Sequence, residues 1–345
     1  MQSTAEMCCD KGSHPSALIP GRRLVVGALV GGAMMLGSMV SWAQAQVYPS
    51  KPVRLLVGFA PGGAADYVAR AMSDGFGKAL GQSVVIENRA GAGSSIAAEV
   101  VAKAAPDGYT VLIASPSSIS VNPALNPRLG YSPRDLLAVT KITSSPLVLA
   151  VNTSIGINSV PELIARARRS PGALNYATSG NGSAPHLGAS LFLQSTGVQM
   201  THIPFRGGGP AIQSVIAGDT QLTFGTPPSV LPMVQAGRLR GLMVTTAERS
   251  SSVPGIPGAV EAGLSDFAIE FWYGIFVPAG TPAPIVKRIF DAVTLAMQQP
   301  LVKAALAREG TDVSLSASPE QFNVFLAEDA KFWVKLVKEA GVKLD

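Results

Sequence analysis

Cysteine is almost absent from the sequence. The chain of 345 residues has only Cys8 and Cys9, and both precede an apolar run at residues 24–42. A lipid-modified cysteine would have to follow such a run, so the sequence does not predict a lipoprotein. Beyond the run the chain has no cysteine at all. This excludes disulfides and a thiol nucleophile from the rest of the protein.

Charge is also sparse. Charged residues make up 14% of the chain, and the formal net charge is +5. The first 45 residues hold three cations and two anions, so the remainder carries +4. This mild excess, without a basic run or interleaved basic and aromatic residues, argues against nucleic acid as a partner. A hydrophobic content of 47% excludes global disorder and, at this length, predicts one to three domains with a substantial core.

Residues and motifs that carry catalysis or bind metals are few. His186 and His202 are the only histidines after residue 45. A metal site would therefore need mostly carboxylates, and we predict none. The sequence has no P-loop lysine motif and no Gly-x-Ser-x-Gly elbow, and Gly91-x-Gly93 is followed by Ile96 where a dinucleotide fingerprint needs glycine. We predict no catalysis and no cofactor, with His202 as a packing residue and His186 as a candidate ligand contact.

The first 45 residues resemble an export signal. Arg22-Arg23 precedes the apolar run, glycines interrupt that run, and Ala43-Gln44-Ala45 supplies the small-x-small pattern of a signal peptidase site. We predict a signal peptide at residues 1–45 and a periplasmic protein after its cleavage. A membrane anchor of about 19 residues is the alternative. Sec export is favoured over twin-arginine export, and the exact cleavage site stays open.

A strand, a glycine loop and a helix follow each other at residues 53–80. Residues 53–59 are apolar except for Arg54, which predicts a buried strand. Pro61-Gly62-Gly63 comes next, and apolar residues at spacings of three and four then predict a helix that ends before Gly81. A glycine loop that enters a helix leaves backbone N–H groups unpaired at the positive end of the helix dipole. The stretch therefore predicts an anion site.

Short apolar strands alternate with helices along the remaining chain, which predicts an α/β fold. Loops rich in Gly, Ser and Thr follow the strands in two groups, near residues 60–118 and 178–229. In open α/β sheets a ligand binds beyond the carboxyl ends of the strands. We therefore predict two lobes that face one cleft. Residues 46–145 and 247–345 form lobe 1 and residues 146–246 form lobe 2, so that two crossovers provide a hinge.

Several short motifs occur in order along the chain. They are Pro61-Gly62-Gly63 with Asp66, Glu87-Asn88-Arg89 with Gly91-Ala92-Gly93, Pro106-Asp107-Gly108-Tyr109, residues 176–182 with His186, Phe205-Arg206-Gly207-Gly208-Gly209-Pro210, and Trp272-Tyr273-Gly274 with Pro278-Ala279-Gly280-Thr281-Pro282. The series resembles the Bug family, the extracytoplasmic substrate-binding proteins of tripartite tricarboxylate transporters. The resemblance extends from about Tyr48 to the end of the chain.

This resemblance implies a Venus-flytrap protein, similar to type II periplasmic binding proteins, that closes on a small carboxylate. The ligand would be a dicarboxylate, a tricarboxylate, an acidic amino acid or an aromatic acid. The implied partners are integral membrane transporter subunits, or alternatively a sensor protein of a signalling system, and we expect a monomer. The implied ligand-binding residues are Phe59, Pro61, Gly62, Gly63 and Asp66 in lobe 1, and Thr178, Ser179, Gly182, Arg206, Gly207, Gly208 and Gly209 in lobe 2.

Two of these residues also have a structural interpretation. Asp66 lies in the first turn of its helix, where an acid offsets the dipole by about 0.3–1 kcal/mol. Arg206 can pair with a ligand carboxylate or remain a solvated flank of the glycine loop. Two positions depart from the family pattern, since Gln213-Ser214 replaces an acid and Ser94 replaces a glycine. The departures leave the identity of the carboxylate open.

Overall fold

The computed structural model describes residues 48–126, 128–265 and 267–339. They belong to one compact unit, Val47–Asp345. The predicted signal peptide, including both cysteines, lies outside the described residues. Within the described ranges, no helix has the length and apolar character needed to cross a membrane.

Six strands form the first sheet, in the order β11, β4, β10, β3, β1, β2. The parallel strands β1, β2 and β3 come from the first part of the chain, and β10 joins them antiparallel to both β3 and β4. β3 is buried along its whole length and β1 at all but one position, which explains their nearly continuous apolar sequences. The strands are β1 (Val53–Val57), β2 (Val84–Asn88), β3 (Thr110–Ala114), β4 (Leu136–Pro146), β10 (Glu270–Pro278) and β11 (Asp312–Val313).

The middle of the chain forms a second sheet of five strands, in the order β7, β6, β8, β5, β9. β6, β7 and β8 are parallel, whereas β5 runs antiparallel to β8 and β9. The strands are β5 (Val148–Asn152), β6 (Asn175–Thr178), β7 (Thr201–Pro204), β8 (Leu222–Gly225) and β9 (Leu239–Val244). The chain thus leaves the first sheet after β4 and returns to it at β10.

Helices connect the strands and cover both sheets. Their ends follow local chemistry, since α1 stops at Gly81 in the left-handed conformation (φ 79°) and the Ser159 side chain accepts the Glu162 amide at the start of α4. The helices are α1 (Ala64–Leu80), α2 (Ser95–Ala102), α3 (Asn122–Leu125), α4 (Val160–Arg169), α5 (Ala184–Thr196), α6 (Gly208–Ala217), α7 (Pro227–Gln235), α8 (Ala283–Gln298), α9 (Pro300–Arg308) and α10 (Pro319–Glu339).

β10 lies in the interior of the first sheet, and successive side chains point to opposite faces. Phe271 and Tyr273 are buried on the face that turns to the second sheet's loops. Trp272 lies on the other face, where its ring meets Phe322 of α10 edge to face at 5.7 Å.

The strand and the helix predicted at residues 53–80 agree with the structure, whereas three other elements were not predicted. β1 and α1 occur within about two residues of the bounds predicted for the strand and the helix at residues 53–80. β4, α9 and β11 were not predicted, because hydroxyl residues such as Thr140, Thr143 and Ser144 interrupt the apolar pattern of β4, and α9 follows α8 with almost no break.

Candidate functional site

The glycine loop after β1 contacts the glycine loop after β7 directly. The amide of Ala60 donates to the carbonyl oxygen of Arg206 at 3.0 Å. A Cβ atom added at Gly207 would lie 2.9 Å from the Ala60 nitrogen, and one added at Gly209 would lie 3.1 Å from the Pro61 carbonyl oxygen. Side chains at these two positions would hold the loops apart. The two loops singled out from the sequence therefore meet face to face.

A small cavity lies beside these loops, between the two sheets. Its volume is about 20 Å³, which is room for roughly one water molecule. Hydroxyl groups and glycine or alanine backbone form much of its wall, and no charged side chain of the described residues lines it. The lining side chains with a hydroxyl group are Ser117, Ser179, Thr223, Thr226, Ser229 and Tyr273, and the large apolar ones are Phe59, Pro185, Ile212 and Phe271.

Four helices begin at this cavity. Residues from the first turns of α1, α5, α6 and α7, or directly before them, line its wall. At α1, α6 and α7 the N-cap residues are Gly63, Gly207 and Thr226, and none of them makes a capping hydrogen bond through its side chain. No N-cap side chain therefore accepts the first amides of α1 and α6, whereas α7 begins with Pro227-Pro228, which have no N–H. The positive ends of four helix dipoles converge. This arrangement favours a bound anion.

Asp66 holds the first loop in shape. Its carboxylate accepts hydrogen bonds from the Gly62 amide at 3.1 Å, from Arg70 at 2.9 and 3.0 Å, and from Asn88 at 3.1 Å. Asn88 also donates to the Phe59 carbonyl oxygen at 3.0 Å. Burial raises the pKa of Asp66, but the hydrogen bonds from Arg70, Gly62 and Asn88 outweigh it and keep the pKa below its usual value. The Asp66 carboxylate therefore uses its oxygens in hydrogen bonds within the protein and does not line the cavity.

Two stacked histidines hold the loop after β6. The His186 and His202 rings are 4.0 Å apart and nearly parallel, and Tyr176 stacks on His202 at 5.0 Å. His186 Nδ1 accepts the Gly182 amide at 3.2 Å, and His202 Nε2 lies 2.6 Å from the Thr178 hydroxyl. Burial, together with nearby His202, lowers the pKa of His186 to about 3, so the ring is neutral with its proton on Nε2. The packing role predicted for His202 is confirmed.

The twelve residues that the resemblance implied occupy three kinds of position. Those that line the cavity are Phe59, Gly63, Ser179 and Gly208. Those that form the contact between the loops are Pro61, Gly207 and Gly209, together with the main chain of Arg206. Those that hydrogen-bond within the loops are Gly62, Asp66, Thr178 and Gly182. The Arg206 side chain is exposed and does not line the cavity.

Sequence reasoning missed several residues that line the cavity. Ser117 follows β3, and Thr226 and Ser229 follow β8. Their positions in polar loops directly after strands could have identified them as candidate ligand-binding residues. Tyr273 offered no such signal, because it comes from the middle of β10 and reaches the cavity only through the sheet order. Burial raises the pKa of Tyr273, against a hydrogen bond from the Ala65 main chain. Its hydroxyl is therefore protonated at neutral pH.

Comparison with known proteins gives consistent matches over most of the chain. A family model described as "Tripartite tricarboxylate transporter family receptor" matches residues 68–342. The protein BugT of Bordetella pertussis is 33% identical over 319 residues, which is 92% of this chain and 98% of BugT. A protein from the tcbD-tcbE intergenic region of Pseudomonas sp. strain P51 is 34% identical over 321 residues, or 92% and 94% of the two chains.

Solved structures show the same architecture. A periplasmic transporter structure has a TM-score of 0.83 and 36% identity, covering 86% of this chain and all of the other. Rpa4515 of R. palustris with adipate has a TM-score of 0.82 and 33% identity over 86% and 99% of the chains. MatC of Rhodopseudomonas palustris with bound malate has a TM-score of 0.80 and 32% identity over 84% and 100%. These matches confirm the predicted two-lobed periplasmic-binding-protein fold.

Proposed function

The chain belongs to the tripartite tricarboxylate transporter receptor family, and we propose that it is a periplasmic protein that captures a small carboxylate between its two sheets. The observation that supports this most directly is the convergence of four helix N-termini on one cavity without charged side chains. Two relatives of similar structure are bound to adipate and to malate. The family consists of solute-binding receptors, so we assign no catalytic role to the hydroxyl groups of the cavity.

Neutral donors provide the proposed recognition. The amides at the starts of α1 and α6 bind a carboxylate group, because no N-cap side chain accepts them and they lie at the positive ends of their helices. α7 begins with Pro227-Pro228, which have no N–H, and contributes through its dipole. The hydroxyls of Ser179, Thr226 and Ser229 complete the contacts. Asp66 acts indirectly, since it fixes the Gly62 amide. The proposal needs no direct contact between Arg206 and the ligand.

Ligand entry requires the two sheets to separate. A cavity of about 20 Å³ is far smaller than a dicarboxylate of four to six carbons, and the contact between Ala60 and Arg206 closes it on one side. We propose that residues 46–145 and 247–345 move as one lobe and residues 146–246 as the other. The hinge lies at the two passages between the sheets, after β4 and after β9.

Delivery to membrane subunits completes the proposed function. The family is described as a transporter receptor, which favours a transporter over the sensor protein considered as the alternative partner. We propose that the protein is exported, that its signal peptide ends near residue 45, and that it works as a monomer. Co-purification with its membrane subunits from a cell envelope fraction tests the partner separately from the ligand.

A thermal-shift screen tests the ligand class. The protein is unfolded and refolded first, so that any ligand carried through purification is removed. Succinate, malate, adipate, citrate, glutamate and benzoate are compared with glucose. A specific carboxylate at about 100 times its dissociation constant adds about 2.7 kcal/mol to the free energy of unfolding. A melting temperature that rises with glucose, and with none of the carboxylates, contradicts the proposal.

A further inference from the structure

A second cavity lies on the opposite face of β10. Its volume is about 370 Å³, within the roughly 300–1,000 Å³ typical of small-molecule sites. The alternation of the strand separates the two cavities, because Phe271 and Tyr273 line the first whereas Glu270 and Trp272 line the second. The other lining residues are Lys141, Ser144, Thr246, Ala247, Ala268, Ile269, Phe325, Asp329 and Phe332.

Lys141, Glu270 and Asp329 bring three charges to this cavity without forming an ion pair. Among the described residues, none of the three has an oppositely charged atom within 4.0 Å. Lys141 Nζ lies over the Phe325 ring, 4.6 Å from its centre. Burial lowers the pKa of Lys141, against the attraction of Glu270 and Asp329. Glu270 accepts a hydrogen bond from Ser144. The ammonium group of Lys141 therefore has hydrogen-bonding capacity that the described protein groups do not use.

Two buried polar atoms at this cavity also lack a hydrogen bond. They are Trp272 Nε1 and Asp329 Oδ2, whereas Asp329 Oδ1 accepts from Trp333 Nε1 at 3.0 Å. Trp272 is 2% exposed, so its N–H group cannot reach bulk water. Burial raises the pKa of Asp329 to about 6, although both indoles and Lys141 lower it. Trp272 is thus near Asp329 but not in regular hydrogen-bond geometry. The two atoms are buried from solvent, so the Lys141 ammonium and the remaining carboxylate surface of Asp329 are the charged groups open to a ligand.

The unused groups define a ligand with three parts. A ligand carboxylate can accept from the Lys141 ammonium, and a ligand ammonium can donate to the Asp329 carboxylate. An apolar side chain can pack against the aromatic rings of α10, where Phe332 is 42% exposed. We propose that this cavity is a second binding site, for an α-amino acid with an apolar side chain.

The second site is placed to influence the first. β10 forms a wall of both cavities, and residues 246–247 and 268–269 of the second cavity lie on the segment that connects the two sheets. A ligand there contacts the segment that must move when the lobes separate. This coupling rests on the proposed function, whereas the existence of the second site does not.

Tryptophan fluorescence of the refolded chain tests the second site. Trp272 and Trp333 are the only tryptophans after residue 45, and both are near Asp329. We expect a saturable change with L-phenylalanine and L-leucine. 3-Phenylpropionate lacks the ammonium group and phenethylamine lacks the carboxylate, so each is expected to bind at least about tenfold more weakly, equivalent to 1.4 kcal/mol. No saturable change with either amino acid up to about 10 mM, which corresponds to a binding free energy weaker than about 2.7 kcal/mol, overturns the proposal.

Matched variants separate the two sites. Lys141→Met and Asp329→Asn are expected to weaken phenylalanine at least tenfold and to leave dicarboxylate binding unchanged. Ser229→Ala in the first cavity is expected to do the reverse. Circular dichroism confirms that each variant is folded, and Phe332→Ala, at a partly exposed position, supplies a further variant if one of them is not. If Ser229→Ala abolishes phenylalanine binding, the amino acid binds in the first cavity and the second site is excluded. Phenylalanine binding that Ser229→Ala leaves unchanged, without binding of any carboxylate in the thermal-shift screen, would overturn the proposed function alone.

Discussion

Ser94, which replaces a glycine of the family pattern, has a backbone conformation that lowers the stability of the folded protein. Ser94 has φ 78°, in the left-handed region, which costs a residue with a side chain about 1–2 kcal/mol. Its hydroxyl is buried without a hydrogen-bond partner. The side chain also fills the space beside Gly58, where an added Cβ would lie 1.9 Å from Ser94 Oγ. Ser94 therefore combines backbone strain with an unsatisfied polar group.

Replacing Ser94 with glycine is expected to stabilise the protein. The change relieves the strain and removes the unpaired hydroxyl, and the greater freedom of glycine in the unfolded chain offsets about 0.5–1 kcal/mol of the gain. We expect the free energy of unfolding to rise by about 1 kcal/mol in urea denaturation. Ala92→Gly is the matched control, because Ala92 has φ 45° but no hydroxyl, and it should gain less. A less stable Ser94→Gly variant would show that the hydroxyl has a partner, such as bound water.

Asp66 gives a prediction about pH. Its pKa in the folded protein is below the usual 3.8, so the folded state favours the ionised form. The resulting stabilisation is complete above the unfolded pKa and is lost as the pH falls through the folded pKa. We expect Asp66→Asn to lower the free energy of unfolding by about 1–3 kcal/mol at pH 7. The difference from the original protein should shrink below about pH 3.8, as measured by urea unfolding at several pH values.

Asp74 provides the control for this experiment. It also pairs with an i+4 cation, Lys78, at 2.7 Å, but its side chain is 77% exposed. Exposed pairs of this kind contribute about 0.3–0.5 kcal/mol. Asp74→Asn should therefore have little effect at any pH. Equal losses in the two variants would mean that the hydrogen bonds to Gly62 and Asn88 do not contribute to the stability that Asp66 provides.

At the scale of elements, the glycine loops determine how closely the sheets approach. Gly207→Ala would place a Cβ atom 2.9 Å from the backbone nitrogen of Ala60, and the carbonyl of the neighbouring Arg206 could no longer accept that amide at 3.0 Å without a shift. We expect the variant to bind the carboxylate identified by the thermal-shift screen at least about tenfold more weakly, a loss of 1.4 kcal/mol. Isothermal titration calorimetry measures the affinity.

Gly156→Ala is the control for Gly207→Ala, because it introduces backbone strain at a position that takes no part in the contact between the glycine loops. Gly156 has φ 69°, and an added Cβ would meet nothing within 4 Å. It ends a short turn after β5, outside the residues that line the cavity. This variant should lose about 1–2 kcal/mol of stability and keep its ligand affinity. Unchanged affinity in Gly207→Ala as well would contradict the role of the loop contact.

The sequence predicted those elements whose signals are local. The strand, glycine loop and helix at residues 53–80 form because apolar spacing, glycine conformation and the stop at Gly81 all act within a few residues. β4 escaped prediction because its hydroxyl residues are buried by neighbouring strands that the local sequence does not reveal. Tyr273 joins the cavity for the same reason. Residues such as Tyr273, which reach the cavity only because of the order of strands in the sheet, could not be predicted from the spacing of apolar residues.

At the scale of the whole molecule, the contact between the loops and the small first cavity indicate a closed arrangement. A ligand larger than a water molecule cannot enter the first cavity of about 20 Å³ unless the sheets move apart. One backbone hydrogen bond, Ala60 to Arg206, joins the two glycine loops and contributes only about 0.5–1.5 kcal/mol. Separation also breaks the close approaches of Gly93 to Asn181 and of Gly310 to Leu231. A bound carboxylate adds contacts to both loops at once. Closure should therefore depend on the ligand.

Small-angle X-ray scattering measures this closure. A compact chain of about 300 residues has a radius of gyration of about 19 Å. We expect the refolded protein without ligand to exceed that value by about 1 Å and to return to it on saturation with the carboxylate, because the ligand shifts the population toward the closed form. Gly207→Ala should remain at the larger value at the same ligand concentration, whereas Gly156→Ala should close normally. An identical radius with and without ligand, in a protein that calorimetry shows to bind, would exclude lobe movement as the means of capture.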